Sequence, residues 1–121
     1  MPIKKILVVD DSPTERLALS EVLVKNGYQV VTAENGEEAV LKSKSEQPDL
    51  ILMDVVMPGI NGYQATRTIS RDDSTRNIPV IMCTSKGQET DKIWGLRQGA
   101  HDYMVKPIDH AALLDKIRAL G

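Results

Sequence analysis

The stretch Asp49–Gly62, DLILMDVVMPGING, decides how the chain is read. Leu50-Ile51-Leu52-Met53 is an unbroken apolar run of strand length, as expected of a strand buried on both faces of a parallel sheet. Asp54 stands where the run ends, and Pro58, Gly59, Asn61 and Gly62 then stop the strand and open a loop. A carboxylate so placed lies at the C-terminal mouth of a parallel sheet, the edge where open α/β folds bind ligands. A lone acid at a strand end is commonly just a solvated one, so its meaning depends on what else reaches that edge.

Outward from this stretch, strands and helices alternate. Upstream, Ile6–Val9 is a first buried strand ending in Asp10 and Asp11, and Ser12-Pro13-Thr14-Glu15 follows as a capping box with proline at the first helical position. Ala18, Leu19, Val22 and Leu23 recur at helical spacing until Asn26-Gly27. Tyr28–Ala33 reads as a second strand, broken by Asn35-Gly36, and Glu37–Glu46 as a weaker helix ending before Pro48. Downstream, Tyr63–Arg71 is helical and Asp72–Asn77 a polar connection with a solvated Asp72-Asp73 pair. Ile78–Cys83 is a fourth strand that tolerates Pro79 near its start and ends at Thr84-Ser85. Gln88–Gln98 reads as a helix stopped by Gly99, and Asp102–Lys106 as a short fifth strand. From Asp109 as N-cap, Leu113, Ile117 and Leu120 mark a final amphipathic helix. Five such alternations predict an α/β fold, a parallel sheet with helices on both faces.

At 121 residues, with 41% hydrophobic and 26% charged residues, the chain is expected to be one globular domain with a real core. A net charge of −2 gives no footprint for nucleic acid or an anionic membrane. The apolar runs are too short to span a bilayer, and the N-terminus lacks the long apolar segment of a signal peptide. The single cysteine, Cys83, reads as a reduced core residue, which fits a cytoplasmic protein. His101 and His110 have no second ligand type nearby and read as surface residues; Trp94 reads as packing or partner surface.

In a parallel sheet Asp10, Asp11, Asp54, Thr84 and Lys106, all at strand ends, share one edge. Three carboxylates that close repel one another unless a cation sits among them, and hard oxygen ligands with room for water suit Mg²⁺. A carboxylate beside Mg²⁺ can attack phosphorus to form an aspartyl phosphate, with an ammonium and a hydroxyl holding the phosphoryl oxygens. Any two of these groups could coincide by chance; all five together argue for the chemistry.

Over its whole length the sequence resembles the receiver domains of bacterial two-component response regulators, of the CheY-like single-domain kind. The matching motifs are Val9-Asp10-Asp11-Ser12, Met53–Gly62, Thr84-Ser85 and Tyr103-Met104-Val105-Lys106-Pro107. The resemblance implies a flavodoxin-like (βα)5 fold with a five-stranded parallel sheet in the order 2-1-3-4-5. It implies Asp54 as phosphoacceptor, Mg²⁺ held by Asp10, Asp11, Asp54 and the backbone carbonyl of Val56, Thr84 and Lys106 on the phosphoryl oxygens, and a cis Lys106–Pro107 bond. Thr84 and Tyr103 would form a switch that alters the face made by the helix over 88–98, the fifth strand and the last helix. Val56 and Lys86 would tune dephosphorylation, and apolar Val56, with no group to orient water, predicts a long-lived phosphoryl state. Gly87–Gly95 and the opening DDSPTE look most like regulators of type IV pilus (twitching) chemosensory systems.

The implied partners are a sensor histidine kinase and a downstream target protein; the receiver is expected to be monomeric, to occupy residues 1–121 and to lack an output domain. It would act on a partner or as a phosphate sink for a shared kinase. An aspartate-nucleophile phosphohydrolase would need a second acid two residues after the nucleophile, where Val56 stands. A receiver-like module working without phosphorylation would not need all five site residues.

Overall fold

The computed structural model describes residues 2–85, 93–94 and 96–121. The elements, in chain order, are β1 (Lys5–Val9), α1 (Pro13–Lys25), β2 (Gln29–Ala33), α2 (Gly36–Glu46), β3 (Leu50–Asp54), α3 (Gly62–Arg71), β4 (Val80–Thr84), β5 (Asp102–Val105) and α4 (His110–Leu120). The strands form one sheet in the order β2-β1-β3-β4-β5, every neighbouring pair parallel. This is the flavodoxin-like order, with β3 central and β1 and β4 on either side of it.

Alternation along the strands divides the core in two. Leu7, Val9, Ile51, Met53, Val80 and Met82 pack with Ala39 of α2 and with Ala65 and Ile69 of α3. Ile6, Val8, Leu50, Leu52, Ile81, Cys83 and Met104 pack with Leu19 and Leu23 of α1 and with Leu113 and Ile117 of α4. Each fully buried aliphatic side chain contributes roughly 1.5–3 kcal/mol, so the continuous apolar runs of β1, β3 and β4 supply most of the drive for the fold. Cys83 is buried as expected, and burial pushes its thiol up to about 12, which keeps it protonated and inert.

Several boundaries differ from the sequence reading for identifiable reasons. β4 begins at Val80 because Pro79 has no N–H for the ladder, although its carbonyl accepts from Ile51 N at 3.0 Å. Asn35 and Asn61 are more than breakers: each caps the helix behind it, and Asn61 forms a reciprocal capping box with Gln64. The Asp72-Asp73 pair is only half solvated. Asp73 is exposed, but Asp72 accepts from Ser74 N at 2.8 Å and pairs with Lys44 at 3.0 Å. These contacts lower the Asp72 carboxyl to about 2, the bonds from Ser74 contributing most. Much of the helix expected over 88–98 lies outside the described residues, but Ile93, Trp94, Leu96 and Arg97 are helical and Gly99 ends the segment at φ +106°. His101 and His110 are exposed. Among the described residues no helix is long and apolar enough to cross a membrane.

Candidate functional site

The strand register brings the chemistry to one edge. Val9 is level with Met53, so Asp10 and Asp54 stand side by side beyond β1 and at the tip of β3. Asp54 is level with Cys83, and Thr84 is level with Val105, so Thr84 and Lys106 continue the same rim. Lys106 N donates to Thr84 O at 2.7 Å, fixing where the lysine leaves β5, and the following Lys106–Pro107 bond is cis.

Asp10 is buried, with Oδ1 accepting from Ser12 N at 2.9 Å. Its backbone carbonyl accepts from the Arg16 guanidinium at 2.7 Å. Asp54 is also buried, and its Oδ1 accepts from Val55 N at 3.0 Å. Asp11 is exposed, yet it offers a carboxylate oxygen that lies within 4.8 Å of one from Asp10 and one from Asp54. The Lys106 ammonium sits over this group, 3.0 Å from Asp10 Oδ2 and 3.1 Å from Asp54 Oδ1. Thr84 is buried at its strand end. Val56 is exposed two residues past Asp54. Tyr103 is partly buried and packs against the core layer that contains Met82. Lys86 lies outside the described residues.

One participant escaped the sequence reading. The sequence predicts for Glu15 only the far arm of a capping box, and half of that box exists: Ser12 Oγ accepts from Glu15 N at 3.3 Å. The return arm is not made. Ser12 N donates instead to Asp10, and the Glu15 carboxylate reaches Lys106 Nζ at 2.5 Å. The available clue was position, since Glu15 falls one helical turn beyond Asp11 at the start of the helix that leaves the rim.

Three carboxylates, Asp10, Glu15 and Asp54, thus contact one ammonium, with Asp11 beside two of them, and the electrostatics follow. Burial raises Asp10 to about 7, helped by the neighbouring Glu15 carboxylate and opposed by Ser12 N–H and Lys106. Burial likewise raises Asp54, with Lys106 opposing. Burial would lower Lys106, but Glu15, Asp10 and Asp54 together hold it above its ordinary value. Two buried acids that bind protons this readily, beside a third, are a donor set short of positive charge, and hard oxygens of this kind fit a small divalent cation.

Because Asp10 holds its proton more tightly folded, at about 7, than at its ordinary value of 3.8, the folded state binds more protons across that window. Metal-free protein should therefore lose stability as pH rises from about 4 to about 7, by on the order of 4 kcal/mol. Asp10→Asn should flatten this dependence, as urea denaturation with a chelator present would record. An unchanged slope in the variant would assign the effect to another group.

Comparison with known proteins agrees with this geometry. The family model described as response regulator receiver domain matches residues 6–118. Protein PilH of Pseudomonas aeruginosa is 55% identical over 116 residues, covering 96% of both chains. Other curated relatives, about 41% identical, are longer, and the chain spans about half their length. Among solved structures, the Vibrio cholerae chemotaxis protein CheY4 superposes with a TM-score of 0.92 at 31% identity, covering 98% of this chain and 99% of that one. The receiver domain of sensor histidine kinase PA1611 from Pseudomonas aeruginosa PAO1, with a magnesium ion coordinated in its active site cleft, gives 0.89 at 32% identity over 97% and 96%. With the sheet order, the acidic rim and a family match over nearly its full length in agreement, the chain belongs to the response regulator receiver domain family.

Proposed function

We propose that Asp54 accepts a phosphoryl group from the phosphohistidine of a sensor histidine kinase. The observation that carries this reading is the Lys106 ammonium spanning Asp10 and Asp54 at the C-terminal rim of the sheet. An Asp54 carboxylate oxygen forms the new O–P bond as the P–N bond to the kinase imidazole breaks, its electron pair returning to the ring nitrogen. Lys106 and Thr84 bind the equatorial oxygens, where charge gathers. Asp10, Asp11, Asp54 and the backbone carbonyl of Val56 would hold Mg²⁺, which when bound would supply further neutralisation of that charge. Support for the metal comes from the carboxylate cluster and from the magnesium in the related PA1611 receiver.

Thr84 and Tyr103 form the switch. When Thr84 turns toward the phosphoryl group, Tyr103 on the neighbouring strand follows, and the surface shared by the helical residues Ile93, Trp94, Leu96 and Arg97, β5 and α4 changes. Exposed apolar side chains on this surface, Ile93, Trp94, Leu96 and Val105, support its use by a target protein. The likeness to PilH and CheY4 supports a place in pilus- or chemotaxis-type signalling. Draining phosphate from a shared kinase is the second mode of action. The chain then works as a cytoplasmic signalling protein, not an enzyme with small substrates: its chemistry is phosphoryl acceptance and self-dephosphorylation, tuned by Val56 and Lys86. All the groups named come from one chain, which fits action as a monomer.

The test is incubation with acetyl phosphate and Mg²⁺, followed by intact mass. The wild type should gain one phosphoryl group and Asp54→Ala none. An equal gain on the variant would move the acceptor elsewhere.

A further inference from the structure

Lys106 has three N–H donors and three carboxylates around it, and these acceptors are not equivalent. Asp10 and Asp54 belong to the trio whose oxygens could bind a metal ion; Glu15 does not. Yet Glu15 makes the shortest contact, 2.5 Å against 3.0 and 3.1 Å. It makes it at the expense of its own helix cap, reaching across 91 positions in sequence while Ser12 N turns to Asp10. Glu15 is also half exposed, whereas Asp10 and Asp54 are buried, so its pull on the ammonium is outward.

We propose that Glu15 is a positioning residue that draws the Lys106 ammonium toward the rim of the acidic pocket, weakening its hold on Asp10 and Asp54 in favour of a divalent cation. The inference rests on the metal-binding reading above and adds a residue to it. Without the Glu15 charge, Lys106 settles fully on Asp10 and Asp54, and a cation must displace it before using the same oxygens. Metal and lysine compete for these two acids, and Glu15 relieves the competition. Since the side chain leaves the first turn of α1 and is half exposed, Glu15→Gln removes its charge while keeping its shape.

Titration calorimetry of the full chain with MgCl₂ tests this through a double-mutant cycle. Glu15→Gln should raise the Kd for Mg²⁺ about fivefold, the scale of one partly exposed charge contact. Lys106→Met should lower the Kd, and within that background Glu15→Gln should change it by less than about twofold, because the lysine through which it acts is gone. An unchanged or lower Kd for Glu15→Gln alone would overturn the proposal. So would an equal rise in both backgrounds, which would make Glu15 a mere contributor of negative potential. Asp11→Asn separates these results from a failure of the underlying reading: if it binds Mg²⁺ as the wild type does, or if the wild type binds none, the pocket itself is misassigned and the role of Glu15 falls with it.

Discussion

Lys106→Met is expected to take a phosphoryl group from acetyl phosphate about 100-fold more slowly than the wild type, at saturating Mg²⁺. Removing one preorganised donor aimed at developing charge typically costs a factor of this size in a water-restricted site. Lys106 has the placement such a donor needs: its side chain is mostly buried, its ammonium lies 3.1 Å from Asp54 Oδ1, and its backbone is pinned by Lys106 N donating to Thr84 O. Saturating metal matters because the variant should bind Mg²⁺ more tightly, and at limiting metal that gain would mask the lost donor. Loss of the phosphoryl group to water passes through a similar distribution of charge on the same oxygens, so it should slow as well. Intact-mass time courses in both directions measure the two rates. A variant phosphorylated within threefold of the wild-type rate would remove Lys106 from the transfer step.

Gly62→Ala should be the most damaging small substitution in the described structure, costing about 3 kcal/mol or more. A Cβ at this position would stand 2.1 Å from the Asp54 carbonyl oxygen and 2.9 Å from Val55 Cα. These are backbone atoms, so no rotamer change relieves the clash. Relief requires moving either the first turn of α3 or the tip of β3, and Gly62 N is already bonded to Val55 O at 2.8 Å. The damage reaches function too, since the part of β3 that must give way carries Asp54. Gly27→Ala is the control. Its φ of +93° carries the penalty of a left-handed conformation, but nothing lies within 4 Å of the new methyl group, so only about 1–2 kcal/mol should be lost. Urea denaturation of both variants decides the comparison, and equal losses would show that close approach at Gly62 is not what demands glycine.

Most of the architecture was readable because burial on two faces leaves a plain mark. β1, β3 and β4 are apolar at nearly every position, and each ends at or just before a polar residue, so strand and candidate site come from one pattern. The parallel edge then assembled Asp10, Asp11, Asp54 and Lys106 without knowledge of any contact. Harder to read was anything that depends on where a long side chain goes once local partners compete. Glu15 satisfies a local motif on paper, but the lysine arriving from β5 outbids the backbone N–H of Ser12. Asp72 looked like half of a solvated pair because Lys44, its partner from α2, is 28 positions away. Thr75 was placed in a polar connection, yet its hydroxyl is buried against Ile69 O at 2.7 Å. In each case the deciding partner is distant in sequence or is a backbone atom, and residue type alone carries no trace of it.

The sheet order has a mechanical corollary. Asp10 and Asp54 are mounted on β1 and β3, each gripped by a neighbour on both sides, whereas Lys106 hangs from β5, which is paired along one side only and is four residues long. The acids form the fixed jaw of a vise and the lysine its sliding one. A new charge clamped between them would, on the mechanism proposed for Asp54, be accommodated by travel at the margin of the sheet, next to the surface where a partner would feel it.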